Sequence, residues 1–105
     1  MEHYFIFNER LGIATPHIIE DWDEISVYTQ QGILLKWEMI RGRIPDRIAD
    51  LENNIRTKQD QLDNEENFKT SCMLNSEIAE LASIINDLWL WYRTNQDISA
   101  GKAHA

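Results

Sequence analysis

Two stretches of heptad spacing mirror each other about a polar midpoint, and no other feature of this chain limits its fold as much. Ile44, Ile48, Leu51, Ile55, Lys58 and Leu62 recur at alternating steps of four and three. After Asp63-Asn64-Glu65-Glu66-Asn67 the pattern restarts with Ser71, Leu74, Ile78, Leu81, Ile85, Leu88 and Tyr92. This spacing places each set on one face of a helix. Pairing Leu62 with Ser71, Lys58 with Leu74, and so on outward to Ile44 with Leu88 keeps the index sum at 132 or 133. A constant sum is what an antiparallel helical hairpin requires. Such a hairpin carries no chemistry of its own; it presents faces.

The rest of the chain reads around that hairpin. His3-Tyr4-Phe5-Ile6-Phe7 is strand-like, Asn8-Glu9-Arg10 reads as a turn, and Leu11 to Thr15 can return as a second short strand. His17 to Glu24 is a connection with room for one helical turn. Ser26 suits a helix N-cap, and Ile33, Leu34, Trp37 and Ile40 then fall at helical spacing. The rival reading of this segment is a β-hairpin, Ile25 to Thr29 and Ile33 to Met39 joined at Gln30-Gln31-Gly32. Gly32 keeps that rival open, because an interior glycine costs a helix about 1 kcal/mol relative to alanine. Gly42 suits a left-handed C-cap, and Pro45 suits the first turn of the next helix. The expected fold is mainly α, α+β at most: an antiparallel helical hairpin, one amphipathic helix and a short N-terminal β element. The expected boundaries are one domain over 1–95 and a flexible tail over 96–105. Within the domain, 1–25 is β and loop, 26–42 helix, and 45–93 the hairpin.

The second hairpin helix is the longer, and its end carries Leu88, Trp89, Leu90, Trp91 and Tyr92 all round the wheel. A helix apolar on every side is expected to be covered on every side. Trp37, Ile40 and the strand-like Tyr4 to Phe7 are the residues placed to cover it.

Charge and composition exclude several function classes. The net charge is −8, and the densest basic stretch, Lys36, Arg41, Arg43 and Arg47, is broken by Glu38 and Asp46. A protein gripping nucleic acid directly carries a basic stripe; none occurs here. No apolar run approaches the ~20 residues that cross a bilayer. The single cysteine, Cys72, permits no intrachain disulfide, and Met-Glu-His-Tyr lacks a signal-peptide start. These features point to a cytoplasmic protein with no membrane association. His3, His17, His104 and Cys72 show no metal-ligand spacing. Glu20, Asp21, Asp23 and Glu24 lack the spacing of a calcium loop, and the four glycines form no phosphate loop. No cofactor, metal or catalytic constellation is expected. Cys72 is expected to be a buried small side chain. Lys58 is expected to pack its stem and extend its ammonium to solvent, with Glu77 and Glu80 reaching Lys58 or Arg47 across the hairpin.

Around the hairpin tip the residues resemble a known family. Glu66-Asn67-Phe68, Ser71-Cys72, Leu74, Ile78 and Leu81, preceded by Leu51, Ile55 and Leu62, are similar to the UVR motif. That motif is a short helical hairpin of the bacterial excision-repair nuclease B and C subunits and of Clp-type ATPase adaptors. Phe68 stands at the motif's aromatic position and Ser71-Cys72 at its small pair; the motif's Arg-Asp is Asn75-Ser76 here. The resemblance covers about residues 51–81 and implies a protein-docking hairpin. Small residues suit the converging tip, with Phe68 expected to plug it.

The expected role is a non-enzymatic protein–protein interaction or adaptor module. Its partner-binding residues are Glu65, Glu66 and Phe68 at the tip and Trp89, Trp91 and Tyr92 at the aromatic end. The alternatives are a self-associating structural domain, with a homodimer as its form, and an accessory factor of DNA repair acting through a protein partner rather than on nucleic acid.

Overall fold

The computed structural model describes residues 2–94; the expected tail over 96–105, with His104, lies outside them. After a 3₁₀ turn over Glu2–Tyr4 come β1 (Phe5–Asn8) and β2 (Ile13–Pro16), a second 3₁₀ turn over Trp22–Glu24, then α1 (Val27–Arg41), α2 (Ile44–Asp63) and α3 (Phe68–Tyr92). The fold is mainly α with one small antiparallel sheet, as the periodicity predicts. The strands pair Phe5 with Pro16 and Asn8 with Ile13, so the second strand begins two residues later than its apolar run suggests. The intervening turn explains the delay. Asn8 Oδ1 accepts from the Leu11 N–H at 3.0 Å, and the Asn8 carbonyl accepts from the Gly12 N–H at 2.7 Å. Gly12 holds φ +77°, a left-handed conformation that glycine adopts without a Cβ clash. A Cβ there would meet Arg47 Nε at 2.7 Å, whereas the bare glycine lets that Nε donate to the Leu11 carbonyl at 3.0 Å.

Segment 27–41 is a helix, so the β-hairpin rival falls. Ser26 caps it, its Oγ accepting from the Thr29 N–H at 3.2 Å. Gly42, expected in left-handed geometry, lies at φ −64°, ψ −19°. Only Gly42 and Arg43 separate α1 from α2, and both keep right-handed helical angles. The Gly42 N–H donates to the Glu38 carbonyl at 3.0 Å, the bond of a continuing helix. Pro45 sits in the first turn of α2, where its missing N–H breaks no helical bond.

The hairpin forms as the spacing requires, with Ile44, Ile48 and Leu51 of α2 and Leu74 and Leu88 of α3 buried on the expected seam. Ile84 is buried too, one residue off that seam, in the cluster shared with the sheet and α1, while Ile85 is half-buried. Lys58, the polar seam residue, meets Glu77 across the hairpin at 3.0 Å, one of the expected pairs. Glu80 pairs with Arg10 in the turn between the two strands instead, and Arg47 is taken by the Leu11 carbonyl. At about 1.5 Å per residue, the 20 residues of α2 and 25 of α3 span roughly 30 Å and 37 Å.

The core sits where α3 overhangs. Tyr4, Phe5, Leu11, Ile13, Ile25, Ile33, Trp37, Ile44, Ile48, Leu51, Ile84 and Leu88 form one buried cluster, with Trp91 and Tyr92 packed against it. Trp37 and Trp91 meet edge to face at 5.6 Å, and the Arg41 guanidinium lies 5.0 Å from the Tyr92 ring. The β-hairpin is held on α3 by Arg10, which donates to Glu80 at 2.9 Å, Ser83 at 2.8 Å and Asp87 at 2.7 Å. The expectation that the aromatic end is covered all round is corrected: Trp89 and Leu90 remain exposed, because the small sheet and α1 together cover only part of the wheel. Two tip expectations also fail. Cys72 is exposed rather than buried, and Phe68 is 77% exposed rather than plugging the turn. The turn is instead closed by hydrogen bonds of Asn64, Glu65 and Asn67.

Tyr4 ties the sheet's stability to alkaline pH. Burial pushes its phenol above the ordinary 10.0, and the charge of Glu20 adds to the shift. The folded state therefore favours the neutral phenol. Stability is complete below about pH 10 and declines above it, as the unfolded phenol ionises while the folded one resists. Urea midpoints at about pH 8 and about pH 11 should differ less in Tyr4→Phe than in wild type; equal differences would mean Tyr4 does not contribute.

Candidate functional site

The tip is a built turn. Asn64 Nδ2 donates to the Asp60 carbonyl at 2.9 Å, closing α2. The Glu65 carboxylate accepts from the Asn67 N–H at 3.0 Å, and Asn67 Oδ1 accepts from the Thr70 N–H at 3.0 Å. The asparagine is the N-cap of α3, so Glu65 shapes the turn while Glu66 and Phe68 face solvent. Phe68 stands in the first turn of α3, fixed by the cap rather than carried on a slack loop.

At the other end of α3 the predicted residues separate into two roles. Trp91 and Tyr92 are half-buried and belong to the packing around Trp37 and Arg41. The Arg41 guanidinium also donates to the Tyr92 carbonyl at 3.0 Å and to Glu38 at 3.0 and 3.2 Å. Trp89 is exposed, with the Tyr92 ring edge-on at 5.5 Å.

The geometry joins Phe68 and Trp89 in a way the sequence reading missed. Phe68, Cys72, Asn75, Ala79, Ala82, Asn86 and Trp89 follow one another at steps of four and three along α3. All seven are exposed. They form a second seam on the same helix, rotated away from the one that faces α2. It carries no charged residue, its middle is small, and a large aromatic stands at each end. The signal was present as periodicity, but asparagine and alanine do not register as an apolar repeat. By contrast, the outward face of α2 is charged, with Asp46, Asp50, Glu52, Arg56 and Asp60 exposed. Beside the open seam a shallow groove of about 290 Å³ runs between the helices, lined by Glu52, Ile55, Arg56, Gln59, Ala82 and Ile85.

Other concave surfaces offer less chemistry. A cleft of about 380 Å³ is lined by Asn8, Arg10, Leu11, Asp87, Leu90, Trp91 and Thr94. Its one cation, Arg10, is already engaged by two carboxylates and a hydroxyl, and its hydrogen bonds to Asp87 and Glu80 hold its pKa above the ordinary arginine value. It has no charge to spare for an anionic ligand. Among the described residues no group of three or more His, Cys, Asp or Glu side chains is placed to hold a metal ion. Among them, too, no helix is long and apolar enough to cross a membrane. Comparison with known proteins returns no relative: no protein-family model, curated protein or solved structure matches this chain, so its role is argued from the faces α3 presents.

Proposed function

We propose that this chain is a non-enzymatic protein–protein interaction module in which the open seam of α3 receives a helix of a partner. The observation that carries the reading is the uncharged row from Phe68 to Trp89, exposed along its whole length and repeating at the spacing of a helix–helix contact. Small residues at Ala79 and Ala82 allow a second helix to approach closely. Phe68 and Trp89 serve as anchors, the residue types that dominate interface energies. The fitting partner is an amphipathic helix laid along the seam. Basic flanks would suit it, since the chain carries −8 and electrostatic complementarity steers association. The resemblance of residues 51–81 to the UVR motif supports the same class of role, a docking hairpin.

The test uses the full chain as bait in lysate of its native host, with wild type beside a Phe68→Ala, Trp89→Ala double variant. Phe68 is 77% exposed and Trp89 38%, with the Trp89 ring against Tyr92, so helical circular dichroism should hold while the double variant loses about 1–3 kcal/mol of stability. Binding should weaken by about 2 kcal/mol or more for each lost anchor, roughly thirtyfold. Proteins retained equally by both baits, or by neither, would overturn the reading.

A further inference from the structure

The helix α1 has an outward face that the monomer leaves unexplained. Its inward face holds Ile33 and Trp37, fully buried. On the opposite side Tyr28, Gly32, Leu35, Met39 and Gly42 follow at steps of four and three. Tyr28 is 85%, Leu35 65% and Met39 57% exposed. No charged residue lies in this row. A helix apolar on two opposite faces normally buries both. Glycine is also among the poorest helix formers, yet Gly32 stands near the middle of the helix and in this row.

We propose that this face pairs with the same face of a second copy of the chain, α1 against α1 antiparallel about a two-fold axis. The pattern matches itself when reversed. With the axis at the helix midpoint, Leu35 of each copy lies over Gly32 of the other, and Tyr28 meets Met39. An isologous contact demands this reciprocity, and a glycine opposite a leucine lets two backbones close on one another. The reciprocal row selects the partner, and charge selects the direction. Two copies each carrying −8 repel at long range, so a contact between them is best made where no charge stands, and this row carries none. Before α1 stand Asp21, Asp23 and Glu24, all exposed; after it stand exposed Arg43 and, in the first turn of α2, exposed Asp46. Antiparallel pairing in this register sets Glu24 of one copy opposite Arg43 of the other, whereas parallel pairing sets Glu24 against Glu24 and Arg43 against Arg43. This contact uses residues of α1 and none of the open seam of α3.

A 15-residue helix is about 22 Å long, a compact interface, so the dimer should be concentration-dependent. Light scattering after gel filtration, from micromolar to several hundred micromolar chain, should show the mass rise towards twice 12.4 kDa. Leu35→Lys should raise the dimer dissociation constant at least about a hundredfold by burying two unpaired cations at the axis. Tyr28→Asp, an acidic residue in the first turn where helices accept one, is the second variant, and both should keep wild-type circular dichroism. Arg43→Glu should weaken the dimer about three- to tenfold by placing like charges together at both ends. A wild-type chain that stays monomeric throughout would overturn the proposal. So would dimers that persist in both face variants, and an unchanged Arg43→Glu dimer would overturn the antiparallel direction.

Discussion

Trp37→Ala is expected to lower the free energy of unfolding by about 3–5 kcal/mol, the range for removing a large aromatic from a packed core. The structure places all of that loss at one point. Trp37 is fully buried and central to the cluster that joins the sheet, α1 and the overhanging end of α3. Its indole N–H donates to the Thr94 carbonyl and its ring meets Trp91 edge to face. Truncation therefore opens a cavity, abandons an acceptor and frees the end of α3 together. Small domains hold about 5–15 kcal/mol in all, so the variant should sit near the limit of folding. A urea titration followed by circular dichroism measures it. Trp37→Phe should keep most of the volume and lose about 1 kcal/mol for the missing donor. A loss below about 1 kcal/mol in Trp37→Ala would show that the core is not organised around this residue.

Leu88→Ala should cost about 2–5 kcal/mol, while Leu62→Ala, on the same hairpin seam, should cost about 1 kcal/mol or less. The contrast follows from what surrounds each. Leu88 is fully buried inside the main cluster, where the sheet and α1 reinforce the α2–α3 contact. Leu62 is half-buried near the tip, where only the two helices meet. With a denaturant slope of about 1–3 kcal/mol per molar urea, a 3 kcal/mol loss moves the midpoint by roughly 1–3 M. Native-state hydrogen exchange should show the same gradient without any substitution, with tip amides exchanging ahead of those near Leu51 and Leu88. Equal costs at the two leucines would mean the hairpin is uniformly supported.

The hairpin was legible because every seam residue between Ile44 and Leu62, and between Ser71 and Tyr92, obeys one spacing, and Lys58 interrupts it without changing its phase. Segment 27–41 was ambiguous for the reason it is now informative. Gly32, costly inside a helix and well suited to a turn after Gln30-Gln31, kept a β-hairpin open, and that same glycine stands in the outward row of the helix. The Gly42 conformation was not legible, since a glycine after a helix fits either a left-handed cap or a right-handed bend. Phe68 misled because an aromatic beside a turn suggests a plug, whereas cap hydrogen bonds from Asn67 and Glu65 set its direction. Cys72 misled through its place beside Ser71, one step of the helix away from the seam. Of the docking surface, the ends were readable as aromatics. The middle was not, because what distinguishes Asn75, Ala79, Ala82 and Asn86 is what they lack.

The main core cluster stops at Leu51 on α2 and at Leu81 on α3, and none of residues 55–78 takes part in it. The outer part of the hairpin is thus bounded by itself alone, and that makes its length an adjustable dimension. Seven residues added to each helix, one heptad apiece, would carry the tip about 10 Å farther out with the seam still in phase. Seven added to one helix alone would shift every layer beyond them out of register. Descendants of this chain are therefore expected to lengthen or shorten the arm only in matched steps, with the sheet, α1 and the joint at Gly42 unchanged beneath it.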